Sequence, residues 1–156
     1  MALAADLTRA QQQWSAGQRT QAVSTVELAL RQTPNDLTLR FALGVMRMDM
    51  GELPVAQSIF LSLTQDFPDL PDPFNNLAVI HAAQGDLELA RSELEQALRL
   101  QPDHAQAQEN LGDVFLRLAL RAYQRAEQTQ LSPSATLAAK IGRTQTQLPN
   151  NAVGKP

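Results

Sequence analysis

Residues 77–102 read LAVIHAAQGDLELARSELEQALRLQP, and this stretch decides the fold. Leu87, Ala90, Leu94, Ala97 and Leu98 recur at steps of three and four, the spacing of a helix with one buried face. Gly85 stands before them, where the chain must reverse within a few residues and positive φ is needed. Pro102 stands after them, where its ring ends a helix. Outward from this stretch the same punctuation repeats every 34 residues: Gly17, Gly51 and Gly85; Ala22, Ala56 and Ala90; Pro34, Pro68 and Pro102. A shared period with fixed offsets is the mark of a helical solenoid.

The offsets have physical content. Segments of about 13 residues flank each glycine, enough for helices about 20 Å long. Each alanine follows its glycine by five residues, where two antiparallel helices approach and a small side chain lets them. Pro54 is tolerated at the first position of a helix, where its missing N–H costs nothing. First helices are expected over 4–16, 36–49 and 72–84, with partners over 19–32, 53–66 and 87–100. The proline-pinned segment 66–73 is a boundary between units.

The fourth unit breaks the period. Asn110-Leu111-Gly112 keeps the register, but Ala119 and Gln124 stand where a turn glycine and a small residue are due. The turn is read as deleted, so that one long or kinked helix spans about 104–130. Leu131-Ser132-Pro133-Ser134 ends it, and a capping helix over 135–147 places Leu137, Ile141 and Leu148 on one side. The expected organisation is a repeat domain over 3–133 (units near 3–36, 37–70, 71–104 and 105–133), a cap over 134–148 and a disordered tail over 149–156.

Leu77, Ala78, His81, Gly85, Ala90, Leu94, Ala97 and Pro102 together resemble the tetratricopeptide repeat. The second unit matches with Leu43, Gly44, Gly51, Ala56, Phe60 and Pro68, and the first with Ala10, Gly17, Ala22, Val26, Ala29 and Pro34. The implied fold is all-α: a right-handed solenoid of antiparallel helix pairs with an atypical, shortened fourth unit. Residues 66–91 and 109–126 also look similar to small bacterial exported members of that family. This resemblance implies a periplasmic or envelope-associated protein if a signal peptide has been removed, and a cytoplasmic one otherwise. The opening residues Met1 to Asp6 lack the basic and apolar regions of such a signal.

The family resemblance also implies a function: a scaffold or adaptor whose first helices line a concave groove for a peptide or a partner's helix. Carried onto this chain, the groove residues are Leu7 and Gln11, then Phe41, Val45 and Met48, then Asn75, Asn76 and Val79, then Glu109, Asn110 and Asp113. One subfamily clamps a C-terminal carboxylate with lysines and asparagines. Leu7, Gln11, Asp72 and Gln106 occupy those places here, so such a clamp is not expected. The acidic pair Glu109 and Asp113 favours a partner with a basic and an apolar element, or is an ordinary solvated face. Asn75 and Asn76 serve an extended backbone, or capping and the hydrogen bonds between repeats. Phe41 and Met48 serve the groove or the core between units. The alternative role is a structural module that associates with a second copy.

Other chemistry is not expected. There is no cysteine, and the 13 basic and 16 acidic residues give −3, which does not favour nucleic acid. No apolar run reaches the ~20 residues needed to span a bilayer. No nucleotide-binding, metalloprotease or hydrolase motif is present, so neither catalysis nor a cofactor is expected. His81 is read as packed inside its unit, with Asp103 as the cap of the next helix. Glu88, Glu93, Glu95, Arg91 and Arg99 read as one exposed face, with Glu95 and Arg99 paired. Arg117, Arg121 and Arg125 form a stripe that covers a helix flank, or meets an acidic partner or nucleic acid. Trp14 closes the N-terminal end of the core or anchors a partner.

Overall fold

The computed structural model describes residues 2–148, and the tail over 149–156 lies outside the described residues. The described residues form α1 (Ala2–Ser15), α2 (Arg19–Gln32), α3 (Leu37–Asp49), α4 (Leu53–Asp66), α5 (Pro71–Gln84), α6 (Leu87–Leu100), α7 (Ala105–Thr129) and α8 (Ala135–Gln147). They divide into two compact units, with the division inside α5 between Asn76 and Leu77. In the first unit α1 packs on α2, α2 on α3 and α3 on α4. In the second, α6 packs on α7 and α7 on α8.

The three glycine turns are built alike. Gly17, Gly51 and Gly85 take φ of 78°, 78° and 90°. Each glycine N–H donates to the carbonyl three residues back, as from Gly17 to Trp14 (3.0 Å). The next N–H donates five back: Gln18 to Gln13 (2.8 Å), Glu52 to Arg47 (2.9 Å) and Asp86 to His81 (2.9 Å). These are Schellman turns, which satisfy the carbonyls left over at a helix end. The carbonyls of Gln18, Glu52 and Asp86 then accept from Ala22, Ala56 and Ala90, opening the second helix. Two helices are thereby reversed with almost no loop between them.

At the other end of each pair, Thr33, Phe67 and Gln101 leave the helical region, with ψ of 74°, 68° and 94°, as the proline that follows each of them favours. Asp36 then caps α3 by accepting from the Leu39 N–H (2.9 Å). One period further than Leu70, His104 does the same for α7 with its Nδ1, accepting from the Ala107 N–H (3.2 Å). Asp103 is therefore not the cap: the register places the capping position at 36, 70 and 104, one residue later.

Small residues sit at the helix crossings. Ala22, Ala56 and Ala90 are all fully buried. The core of the first unit is Ala10, Ala22, Val23, Val26, Ala29, Leu39 and Met46, with Leu7, Trp14, Leu30, Leu43 and Met50 packed against it. In the second unit Leu77, Ala78, Ile80, Leu87, Leu94, Ala97, Ala107 and Val114 are buried. Each large apolar side chain so removed from water contributes about 1.5–3 kcal/mol. α7 runs unbroken through the place where a fourth turn was due, and α8 caps it with Leu137, Ile141 and Thr144. Leu148 follows α8 as its C-cap, so Thr144 takes the third place on the buried side.

Two surface expectations are corrected. Glu95 pairs with Arg91 (3.7 Å), and Arg99 donates instead to Gln96 Oε1 (2.6 Å). Glu93 does not lie on the solvated face. It is half-buried, and burial raises its carboxyl above the ordinary range.

Candidate functional site in the first unit

The face of α1 that carries Leu7, Gln11 and Trp14 repeats at four and three residues. The face of α3 that carries Thr38, Phe41, Ala42 and Val45 does likewise. These stripes line a cleft of about 350 Å³, completed by Ser15 and Met46. Four of the residues expected in a groove, Leu7, Gln11, Phe41 and Val45, are brought together here. Its walls are aromatic and aliphatic, its polar groups are the amide of Gln11 and the hydroxyls of Ser15 and Thr38, and no charged side chain lines it.

The walls are held from behind. Gly44 is buried on α3, and the Phe60 ring of α4 lies directly over it: a Cβ added there would fall 2.8 Å from Phe60 Cζ. Phe60 in turn meets Phe41 edge to face, with centroids 5.6 Å apart and planes at 72°. Thus Gly44 admits Phe60, and Phe60 fixes the ring that lines the cleft. Trp14 packs on the core, and the Arg19 guanidinium lies 5.3 Å from its ring centroid.

Ion pairs stiffen α3 on other faces. Arg47 reaches Glu27 on α2 (2.5 Å) and Glu52 in the turn. The bond that Arg47 donates to Glu52, followed by the one it donates to Glu27, holds the guanidinium even more firmly protonated. Arg40 reaches Asp66 (2.6 Å) and Ser62 on α4 and covers the Phe67 ring.

The remaining expected residues are elsewhere. Met48 is half-buried near the end of α3 and is not among the residues lining the cleft. Asn75 is buried, and Asn76 spends a side-chain N–H on the Asp72 carbonyl one turn back (2.9 Å). In the second unit Val79 and Glu109 are exposed, and Asn110 accepts from Gln106 (3.2 Å). Arg117 is held below the ordinary arginine value by burial, then by Arg121, while Asp113 opposes the shift. Asp113 therefore already faces a cation of its own helix. Ser15, Thr38, Ala42 and Met46 were not expected as lining residues. They flank the stripes of Leu7 and Phe41, on sides the spacing alone does not single out.

Among the described residues no cluster of His, Asp or Glu is arranged to hold a metal, and no helix is long and apolar enough to cross a membrane.

A family model described as "TPR repeat" matches residues 80–119. No curated protein matches the sequence. Among solved structures, the chain is similar to the first TPR of Spaghetti (RPAP3) bound to the HSP90 peptide SRMEEVD, at 16% identity, 75% of this chain, 93% of that one and a TM-score of 0.69. It is similar to MamA from Desulfovibrio magneticus RS-1, at 14% identity, 90% and 72% coverage and a TM-score of 0.65. It is also similar to the TPR domain of P58(IPK), at 17% identity, 94% of this chain, 42% of that one and a TM-score of 0.71. At these identities the structures speak to fold, and the sequence match over 80–119 speaks to the repeat. Residues 80–119 thus match the tetratricopeptide repeat in sequence, and the fold, with its 34-residue period and three matching turns, is similar to that of tetratricopeptide-repeat proteins.

Proposed function

We propose that this protein is a non-catalytic interaction module that binds another protein, and that the cleft between α1 and α3 takes an apolar side chain from a peptide segment of that partner. The observation that carries this is the cleft itself: Leu7, Trp14, Phe41 and Val45 stand open beside three uncharged polar groups. Binding sites of this kind are concave, mostly apolar and oriented by few polar groups. The RPAP3 domain of like fold is bound to an HSP90 peptide, which supports a peptide as the ligand class. Its peptide ends in a carboxylate. The lining residues here include no lysine or arginine to meet one, so an uncharged anchor within a segment fits better than a chain end.

Trp14 is the only tryptophan, and it lines the cleft. Peptides enriched on the wild-type chain from a random display library are expected to shift Trp14 emission saturably. Val45→Asp places a charge on the wall and is expected to weaken those peptides by at least about tenfold, the equivalent of about 1.4 kcal/mol. Peptides that bind Val45→Asp as well as wild type, with Trp14 emission unmoved, would exclude the cleft as their site.

A further inference from the structure

Leu131 stands in register with Ala29, Leu63 and Ala97, which are all buried in their units. Leu131 itself is fully exposed. The cause is the lost turn: with Ala119 in place of glycine, α7 runs straight on to Thr129, and the chain leaves the helix where a core position was due. Among the described residues every other large apolar side chain that is exposed, Leu28 and Phe115 included, sits on a helix. Leu131 alone is carried by a non-helical segment, Gln130 to Ser134.

That segment is already held in the shape of a bound peptide. Gln130 at one end has φ −98° and ψ 132°, and Ser134 at the other has φ −71° and ψ 147°, both extended. Pro133 fixes its own φ and biases Ser132 toward the extended region. Both ends are tied down: the Gln130 N–H donates to the Glu127 carbonyl (3.3 Å), and Ser134 Oγ accepts from the Leu137 N–H (3.1 Å). A segment fixed before it binds loses less conformational entropy on binding. It is also uncharged: from Gln128 to Ala139 there is no charged residue, Glu127 and Lys140 being the nearest in sequence.

We propose that the cleft between α1 and α3 of one copy takes Leu131 of a second copy, with Gln130, Ser132 and Pro133 laid along its mouth. The inference rests on the reading of this cleft as a peptide site and names the peptide. Charge and length both match. The cleft offers apolar walls and three uncharged polar groups, with no charged lining residue. A carboxylate or ammonium carried into it would be left unpaired, and the segment brings neither. From Leu7 to Ser15 the α1 wall runs about 12 Å, at about 1.5 Å per residue. That is the reach of about three to four extended residues. The giving segment and the receiving cleft are different surfaces, so each copy both gives and receives, and the contact repeats head to tail.

The test is sedimentation velocity on the full chain, from micromolar to near-millimolar concentration. Apparent mass is expected to rise with concentration. Leu131→Ser removes the anchor from a fully exposed position, and Val45→Asp charges the wall that receives it. Each alone is expected to weaken association at least about tenfold. Circular dichroism verifies that both variants stay folded. Mixed together, the two variants are expected to form a two-chain species and nothing larger, because Val45→Asp still gives Leu131 and Leu131→Ser still receives it. A capped synthetic peptide of residues 128–135 is expected to shift Trp14 emission of the Leu131→Ser chain saturably, and to lose this effect when its own leucine is changed to serine. A single-chain mass throughout overturns the proposal. So does a Leu131→Ser chain that associates as wild type does, or a mixture no heavier than its components. Library peptides that bind wild type and not Val45→Asp would in those cases show that the cleft takes a segment other than this one.

Discussion

Gly44 and Phe60 are one half of a size exchange that repeats through the register. The first unit sets Ala10 in register with Val26, the second sets Gly44 against Phe60, and the third sets Ala78 in register with Leu94. Where the second helix carries a ring in place of an aliphatic chain, the residue in register with it is glycine in place of alanine. Gly44→Ala gains about 1 kcal/mol of helix propensity but drives a methyl to 2.8 Å from a ring that Phe41 meets edge to face, and to 3.2 Å from Ile59 Cγ2. Overpacking of this kind costs about 1–3 kcal/mol, so the urea midpoint is expected to fall. Adding Phe60→Leu recreates the Ala–Leu combination of the third unit, and the double variant is expected to recover most of the loss. A double variant less stable than Gly44→Ala alone would show that the two positions do not share one space. The backbone bond across the glycine turn joins positions 13 and 18, 47 and 52, and 81 and 86, and in the second pair the side chains of Arg47 and Glu52 meet as well.

At the level of helices, the cap of α7 is the clearest target. His104 accepts with a neutral ring nitrogen where Asp36 accepts with a carboxylate. A carboxylate also meets the positive end of the helix dipole. His104→Asp is therefore expected to raise stability by about 0.5–1 kcal/mol and His104→Ala to lower it by a similar amount, both read from chemical denaturation. The repeat was legible in the sequence because its determinants are local: a glycine that must take positive φ, a proline that must end a helix, an alanine at a crossing. The cap at His104 was misplaced to Asp103 because composition favours Asp, while only the spacing from Asp36 reveals the true position. In the cleft, Leu7, Gln11, Phe41 and Val45 were offered by the family resemblance, and they line one cleft together. Thr38, Ala42 and Met46 were not, since which flank of a stripe stays open depends on how closely α1 and α3 approach. The partner Phe60 makes for Gly44 was equally hidden, because it depends on backbone separation.

For the molecule as a whole, acid acts through His81. Burial lowers the pKa of its imidazole, and Asp86 only partly offsets this. Above the ordinary value of 6.5 neither the native nor the unfolded chain is protonated there, and full stability is present. As pH falls below that value the unfolded chain gains a proton the native ring resists, so stability declines until the native ring is protonated too. Glu93 acts in the opposite sense at lower pH, since its raised carboxyl takes up a proton in the native state first. Denaturation of wild type and His81→Gln is expected to show a smaller loss in the variant between neutral and mildly acidic pH. Equal losses would place the acid sensitivity elsewhere. Finally, Gln18, Glu52 and Asp86 each belong to two helices at once, the residue's N–H closing one and its C=O opening the next. Neither end can then fray without loosening its neighbour, and proline, which has no N–H, is barred from all three joints. Their amide protons, although close to solvent, are expected to exchange with deuterium as slowly as those inside the helices they join, and rapid exchange there would mean that each helix opens on its own.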